Sequence, residues 1–152
     1  MKSVLKPGFL KIFFAASACS WMPHWACHYY RLETRSSFIV GSWAFSFRES
    51  VASLLIYSLL VGFSLIAIQA ERYRFIVAAI SGMGHLSLGA LHVYRLIYPF
   101  TFEVFGYSWS YGASLREALI VLPFGMVSTV IAIAMQIETS RQKRLKQMSD
   151  TL

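Results

Sequence analysis

His28 and His92 each open the same pattern, His-x-Tyr-Arg-Leu, 64 residues apart. An imidazole close to a phenol and a guanidinium can pass a proton, ligate a metal or a haem iron, or bind an anion. The likeness continues downstream. Phe38, Gly41 and Trp43 follow the first copy, and Phe102, Gly106 and Trp109 follow the second. An arginine–glutamate pair then closes each copy, Arg48-Glu49 and Arg116-Glu117. With a few gapped residues the shared pattern is H-x-Y-R-L, F-x-V, G, W, R-E.

These residues form the candidate site for a ligand or a partner: His28, Tyr30, Arg31, Trp43, Arg48 and Glu49 from the first copy, and His92, Tyr94, Arg95, Trp109, Arg116 and Glu117 from the second. For the arginines and glutamates the favoured role is structural. A carboxylate at a helix N-terminus is stabilised by the helix dipole, and Arg31 could bridge to Glu49 or Glu117 through its two-pronged fork. The rival role is convergence of Arg31, Arg48, Arg95 and Arg116 on an anionic headgroup. A haem could be held between His28 and His92, and His24, His28, His85 and His92 are the candidate metal ligands. A buried, hydrogen-bonded structural histidine is the commoner case. No His-Glu-x-x-His, Cys-x-x-Cys-His, nucleophile elbow or phosphate loop is present, so no catalytic residue is named.

The elements that must position these groups are apolar. The 152 residues are 57% hydrophobic and only 14% charged, with mean hydropathy +0.55. Soluble domains carry about 25% charge, so a water-soluble globule is excluded. Four stretches approach the roughly 20 apolar residues needed to cross a bilayer: about Phe9–Tyr30, Ser50–Ile68, Phe75–Tyr98 and Ala118–Ile137. The first also resembles a secretory leader, with a basic start and small residues before Cys19. It occupies the place in the first copy that the third stretch holds in the second, which argues for a retained helix. Cys19 and Cys27, eight apart on that helix, are separated by about 12 Å of rise, too far for a disulfide. The expected fold is an all-α membrane protein, one domain over residues 1–152. Four transmembrane helices come from two tandem parallel two-helix repeats, about 9–68 and 75–137, related by a pseudo-twofold along the membrane normal. The outer loops alternate enough for short β segments.

Basic residues set the topology. Nine of the 14 lie before helix one, between helices two and three, or after helix four, and five arginines lie on the other side. The positive-inside rule then places both termini, and the basic tail 138–152, in the cytoplasm, with a bacterial-type inner membrane or a related one as the setting. The net charge of +7 reads as a topology signal, and nucleic acid is not the expected partner. Helix one lines up Ser17, Ser20, His24, His28 and Arg31, and helix three lines up Ser81, His85, Gly89, His92 and Arg95. Such stripes face a bundle interior. The functional expectation is a non-catalytic membrane protein binding an amphipathic ligand, or a partner in a membrane complex or homodimer, at its outer face. The alternatives are a haem- or quinone-binding redox protein, and a small-solute transporter or an enzyme acting on a lipid-like substrate.

Overall fold

The computed structural model describes residues 5–150. Four helices dominate: α1 (Pro7–Thr34), α2 (Phe47–Gln69), α3 (Arg74–Ile97) and α4 (Tyr111–Ser149). Among the described residues three stretches are long and apolar enough to cross a membrane: Phe47–Gln69, Glu71–Ile97 and Tyr111–Ser149. The first expected span, about Phe9–Tyr30, coincides with α1 and is not among these three. That helix has 28 residues, but Lys11, the two serines and the two histidines dilute its apolar content. The basic segment expected as a tail continues α4 as helix to Ser149 and is exposed from Thr139 onward. α4 also runs through Pro123 as one continuous helix, although proline removes one backbone donor there.

The helices pack chiefly in sequential pairs, α1 on α2 and α3 on α4. Glycine makes the second pair close. A Cβ on Gly82 would stand 2.6 Å from Thr129 Oγ1 and 3.1 Å from the Thr129 backbone nitrogen, and one on Gly125 would stand 2.9 Å from the Leu86 nitrogen. Small residues let helix backbones approach in this way. All four helices then contribute to one apolar cluster at the end nearest the termini, with Phe13 and Phe14 from α1, Ala67 from α2, Val77 and Ala78 from α3, and Ile131 and Ala132 from α4. Between α2 and α3 lies one 3-10 turn, Glu71–Tyr73. Arg74 fastens this connection by donating to the Ala67 and Ile68 carbonyls, at 3.0 and 3.2 Å, and pairing with Glu71 at 2.8 Å.

At the opposite end each sequential pair is joined by a hairpin: β1 (Phe38–Val40) with β2 (Trp43–Ala44), and β3 (Phe102–Val104) with β4 (Tyr107–Ser108). The hairpins pair with each other into one antiparallel sheet of order β2-β1-β3-β4. Across the central pair Ile39 faces Glu103, flanked by Phe38 with Val104 and Val40 with Phe102. The sheet therefore stitches the two halves of the chain together over the end of the bundle.

Its hydrogen bonds recur at a constant separation of 64 residues. Gly41 N donates to Thr101 O and Phe105 N to Ser37 O, at 2.6 and 2.9 Å; Phe45 N donates to Phe38 O and Trp109 N to Phe102 O, at 2.9 and 2.7 Å. The turns recur as well: Gly41 and Phe105 occupy the same place with φ 63° and 60°. This correspondence corrects the downstream part of the sequence motif. Trp43 answers to Tyr107, Trp109 answers to Phe45, and Arg48-Glu49 answer to Gly112-Ala113. The tryptophans and the arginine–glutamate pairs are thus not equivalent. Glu49 sits in the first turn of α2, while Glu117 lies well inside α4.

Candidate functional site

Arg31 and Arg95 end the polar stripes of α1 and α3, and both are buried. Arg31 donates to the Ser50 hydroxyl, to the Phe45 carbonyl and, at 3.2 Å, to the Ser46 carbonyl. Arg95 donates to the Ser114 hydroxyl at 2.5 Å, to the Trp109 carbonyl, and to the Ser110 carbonyl at 3.3 Å. Each of these three partners of Arg31 lies 64 residues before a partner of Arg95. Each guanidinium therefore clamps the end of one helix to the start of the next, where the chain leaves the hairpin. The expected bridge from Arg31 to Glu49 or Glu117 does not form: among the described residues the one ion pair is Arg74–Glu71. Glu49 instead closes a capping box, accepting from Ser46 N at 2.6 Å while its own N–H donates to the Ser46 hydroxyl at 3.2 Å. Its second oxygen accepts from Trp43 Nε1 at 3.1 Å. Backbone carbonyls at an irregular loop need donors, and the arginine fork reaches several at once.

The clamps differ in one respect. Arg95 Nε donates to the Phe100 carbonyl at 3.1 Å, and its guanidinium lies 4.8 Å from the Tyr111 ring. Arg31 Nε is buried without a hydrogen-bond partner.

Deeper in the bundle, the polar stripes meet. Ser17 Oγ lies 3.0 Å from Ser81 Oγ and 3.1 Å from Ser64 Oγ. Ser64 and Ser128 also return hydrogen bonds to their own helices, at Leu60 O and Phe124 O. These hydroxyls are satisfied, as buried polar groups usually are.

One turn further out stand aromatic and imidazole rings. Trp21 lies 4.0 Å from His85, centroid to centroid, and 5.9 Å from Tyr57. Tyr57 stacks on His24 and His28, at 5.4 and 5.7 Å. His28 stacks on Phe38 at 5.3 Å, Phe38 meets Phe102 at 6.1 Å, and Phe102 meets His92 at 5.6 Å. The inner face of the sheet thus lies directly on the two histidines of the repeated motif. Glu117, half-buried on α4, is near enough to His24, Cys27 and His92 for its charge to act on all three.

The hydrogen bonding of these rings is incomplete. His85 Nδ1 lies 2.7 Å from the Ser81 carbonyl, which can only accept, so the proton sits on Nδ1 and Nε2 is an acceptor. That Nε2 is buried and unpaired, as are Trp21 Nε1 and the Nδ1 atoms of His24, His28 and His92. His28 and His92 are only 5% and 6% exposed and make no hydrogen bond with any described residue. A buried polar group left unpaired costs about 1–3 kcal/mol, so a cluster of five such atoms marks this end of the interior as chemically distinct.

The remaining predicted site residues lie elsewhere. Tyr30 and Tyr94 are exposed; the former meets Phe105 at 4.8 Å and the latter Tyr98 at 4.9 Å. Trp43 is exposed beside Phe45, and Trp109 packs at 6.1 Å from Phe102. Arg48 and Arg116 are exposed. Among the described residues no three His, Cys, Asp or Glu side chains gather as a metal site. The sequence expectation missed Ser46, Ser110 and Ser114 as clamp and cap residues, and Phe38 and Phe102 as the rings over the histidines. An ungapped shift of 64 would have found them, since it pairs Ser46 with Ser110, Ser50 with Ser114 and Ser64 with Ser128. No protein family, curated protein or solved structure matches the chain.

Proposed function

We propose that the chain is an integral membrane protein of four spans, built from two copies of a helix–hairpin–helix unit, and that it binds an amphipathic ligand without catalysing a reaction. The binding site lies beneath the sheet, between the halves, with His28 and His92 as its polar contacts. The observation that carries this is the contrast between neighbours. Arg31 and Arg95 direct most of their donors to the chain, whereas His28 and His92 are buried and have unpaired Nδ1 atoms. The first group holds the fold; the second is left for something else.

Other features support the same architecture. The constant 64-residue spacing of clamps, turns and sheet bonds argues for duplication, with a twofold axis through the Ser17–Ser81 contact and the Ile39–Glu103 pair. α1 packs along α2 and turns Ser17, Trp21, His28 and Arg31 inward, which favours a fourth crossing despite its lower apolarity. The charge asymmetry favours cytoplasmic termini, so the sheet faces outward. The rings around His28 and His92 suit contact with an apolar body, and the unpaired imidazole nitrogens suit a head with hydrogen-bonding atoms. A haem between the same histidines would compete with Phe38 and Phe102 for space, and an absorbance spectrum without a Soret band would dispose of it. A partner protein contacting the exposed Trp43 and Tyr107 on the sheet is compatible with this site.

The test is extraction into nanodiscs of native lipid, followed by mass spectrometry of what is retained. We expect one amphipathic species at about one per chain, lost when His28→Phe and His92→Phe are combined. An unchanged retained set in a correctly folded double variant would remove the basis for this function.

A further inference from the structure

The end of α1 carries a feature separate from the histidines beneath the sheet. A pocket of about 420 Å³ is lined by Arg31, Arg35, Ser36 and Phe47. Arg35 ends α1 in the left-handed backbone region, φ 53°, and is exposed. Ser36 Oγ lies 3.0 Å from Thr34 Oγ1, whose one proton goes to the Tyr30 carbonyl at 2.9 Å, so the Ser36 hydroxyl donates to Thr34. Phe47 is 59% exposed and offers an apolar wall.

Neither Arg31 nor Arg35 forms an ion pair with a described residue; the Glu49 carboxylate, held by Ser46 and Trp43, acts on Arg31 only at longer range. A guanidinium has five N–H donors. Arg31 uses three in hydrogen bonds and Arg95 uses four. The positions that answer to the pocket in the other half are Arg95, Pro99, Phe100 and Tyr111. There, the Phe100 carbonyl takes the fourth N–H and the Tyr111 ring covers the guanidinium. The two halves therefore solve the same buried charge differently. The second half solves it internally, and the first leaves it beside an open pocket with a second arginine.

We propose that this pocket binds a single phosphate-class anion, either the headgroup of an acidic phospholipid or free inorganic phosphate. Arg35 supplies a fork suited to two phosphate oxygens, Arg31 a buried positive charge behind it, Ser36 a hydroxyl that can turn from Thr34 to a ligand oxygen, and Phe47 contact for the apolar part of a lipid. The site is separate from the histidines beneath the sheet, and its occupancy does not depend on theirs.

The test uses the full chain in nanodiscs with two probes. In mixed phosphatidylglycerol and phosphatidylcholine, native mass spectrometry should show one phosphatidylglycerol retained per chain, with a preference of roughly tenfold, as one charge-assisted contact gives. In phosphatidylcholine alone, inorganic phosphate should raise the melting temperature saturably if the free ion is the ligand. Whichever probe responds identifies the source, and its effect should vanish in Arg35→Gln and weaken in Ser36→Ala. Lys146→Gln removes the same charge at the other end of the molecule and should leave the effect in place. The proposal is overturned if neither probe responds, if Arg35→Gln responds as the parent does, or if Lys146→Gln abolishes the effect equally.

Discussion

Arg95→Lys should destabilise the protein more than Arg31→Lys. Lysine keeps the charge but replaces a planar fork with a single point donor, so each substitution loses most of its clamp. The common part, bonds to a serine hydroxyl and two loop carbonyls, is the same in both halves. The difference is what Arg95 has in addition. Its Nε bond to the Phe100 carbonyl involves a charged donor and is worth about 1.5 kcal/mol or more. The Tyr111 ring at 4.8 Å and the Phe102 ring at 5.5 Å add about 0.5–1 kcal/mol of cation–π attraction. The gap between the two variants should therefore be about 2–2.5 kcal/mol. The assay is reversible unfolding in bicelles, followed by far-UV circular dichroism. Neutral lipid and phosphate-free buffer are needed so that no anion compensates Arg31. Equal destabilisation within about 0.5 kcal/mol, the usual scatter for independent sites, or a larger loss at Arg31, would refute the unequal clamps.

The same apparatus tests other contacts. Gly125→Ala puts a methyl 2.9 Å from the Leu86 backbone nitrogen and should cost about 1–3 kcal/mol by forcing α3 and α4 apart; Gly62→Ala, with nothing within 4 Å, should be neutral or slightly stabilising. Ser46→Ala should cost about 1 kcal/mol through loss of the α2 cap, with helix content otherwise intact by circular dichroism. In the sheet, Ile39→Cys combined with Glu103→Cys places two thiols directly opposite each other across the halves. A short bifunctional thiol reagent should join them in high yield, read as a linked product after proteolysis between α2 and α3, and no linkage would contradict the central strand pair.

Much of the architecture was legible because it is written in apolar length and in helical phase. The helix positions, the inward stripes and the repeated His-x-Tyr-Arg-Leu segment all follow from residue type and spacing. The sheet was only half legible. Alternation suggested strands, but pairing of β1 with β3 is a contact over 64 residues that no local pattern encodes. The arginines illustrate a different limit. A carboxylate near an arginine in sequence suggests an ion pair, yet Glu49 is more useful to the exposed N–H groups of its own helix, and the loop carbonyls need Arg31 more. Gapped matching of rare residues was also misleading. Tryptophans and arginine–glutamate pairs carry more apparent information than serines, but the serines at a constant spacing are the ones that do the same job in both halves.

The unfolding free energy of the delipidated His28→Phe, His92→Phe double variant bears most directly on the proposed binding role of these residues. Phenylalanine retains the stacking on Phe38, Tyr57 and Phe102 and removes two unpaired buried nitrogens. Residues held for a ligand are a burden in its absence, so the double variant should be more stable than the parent by about 1–3 kcal/mol. A loss of stability of similar size would show that the two imidazoles serve the fold, and would contradict a ligand site at His28 and His92.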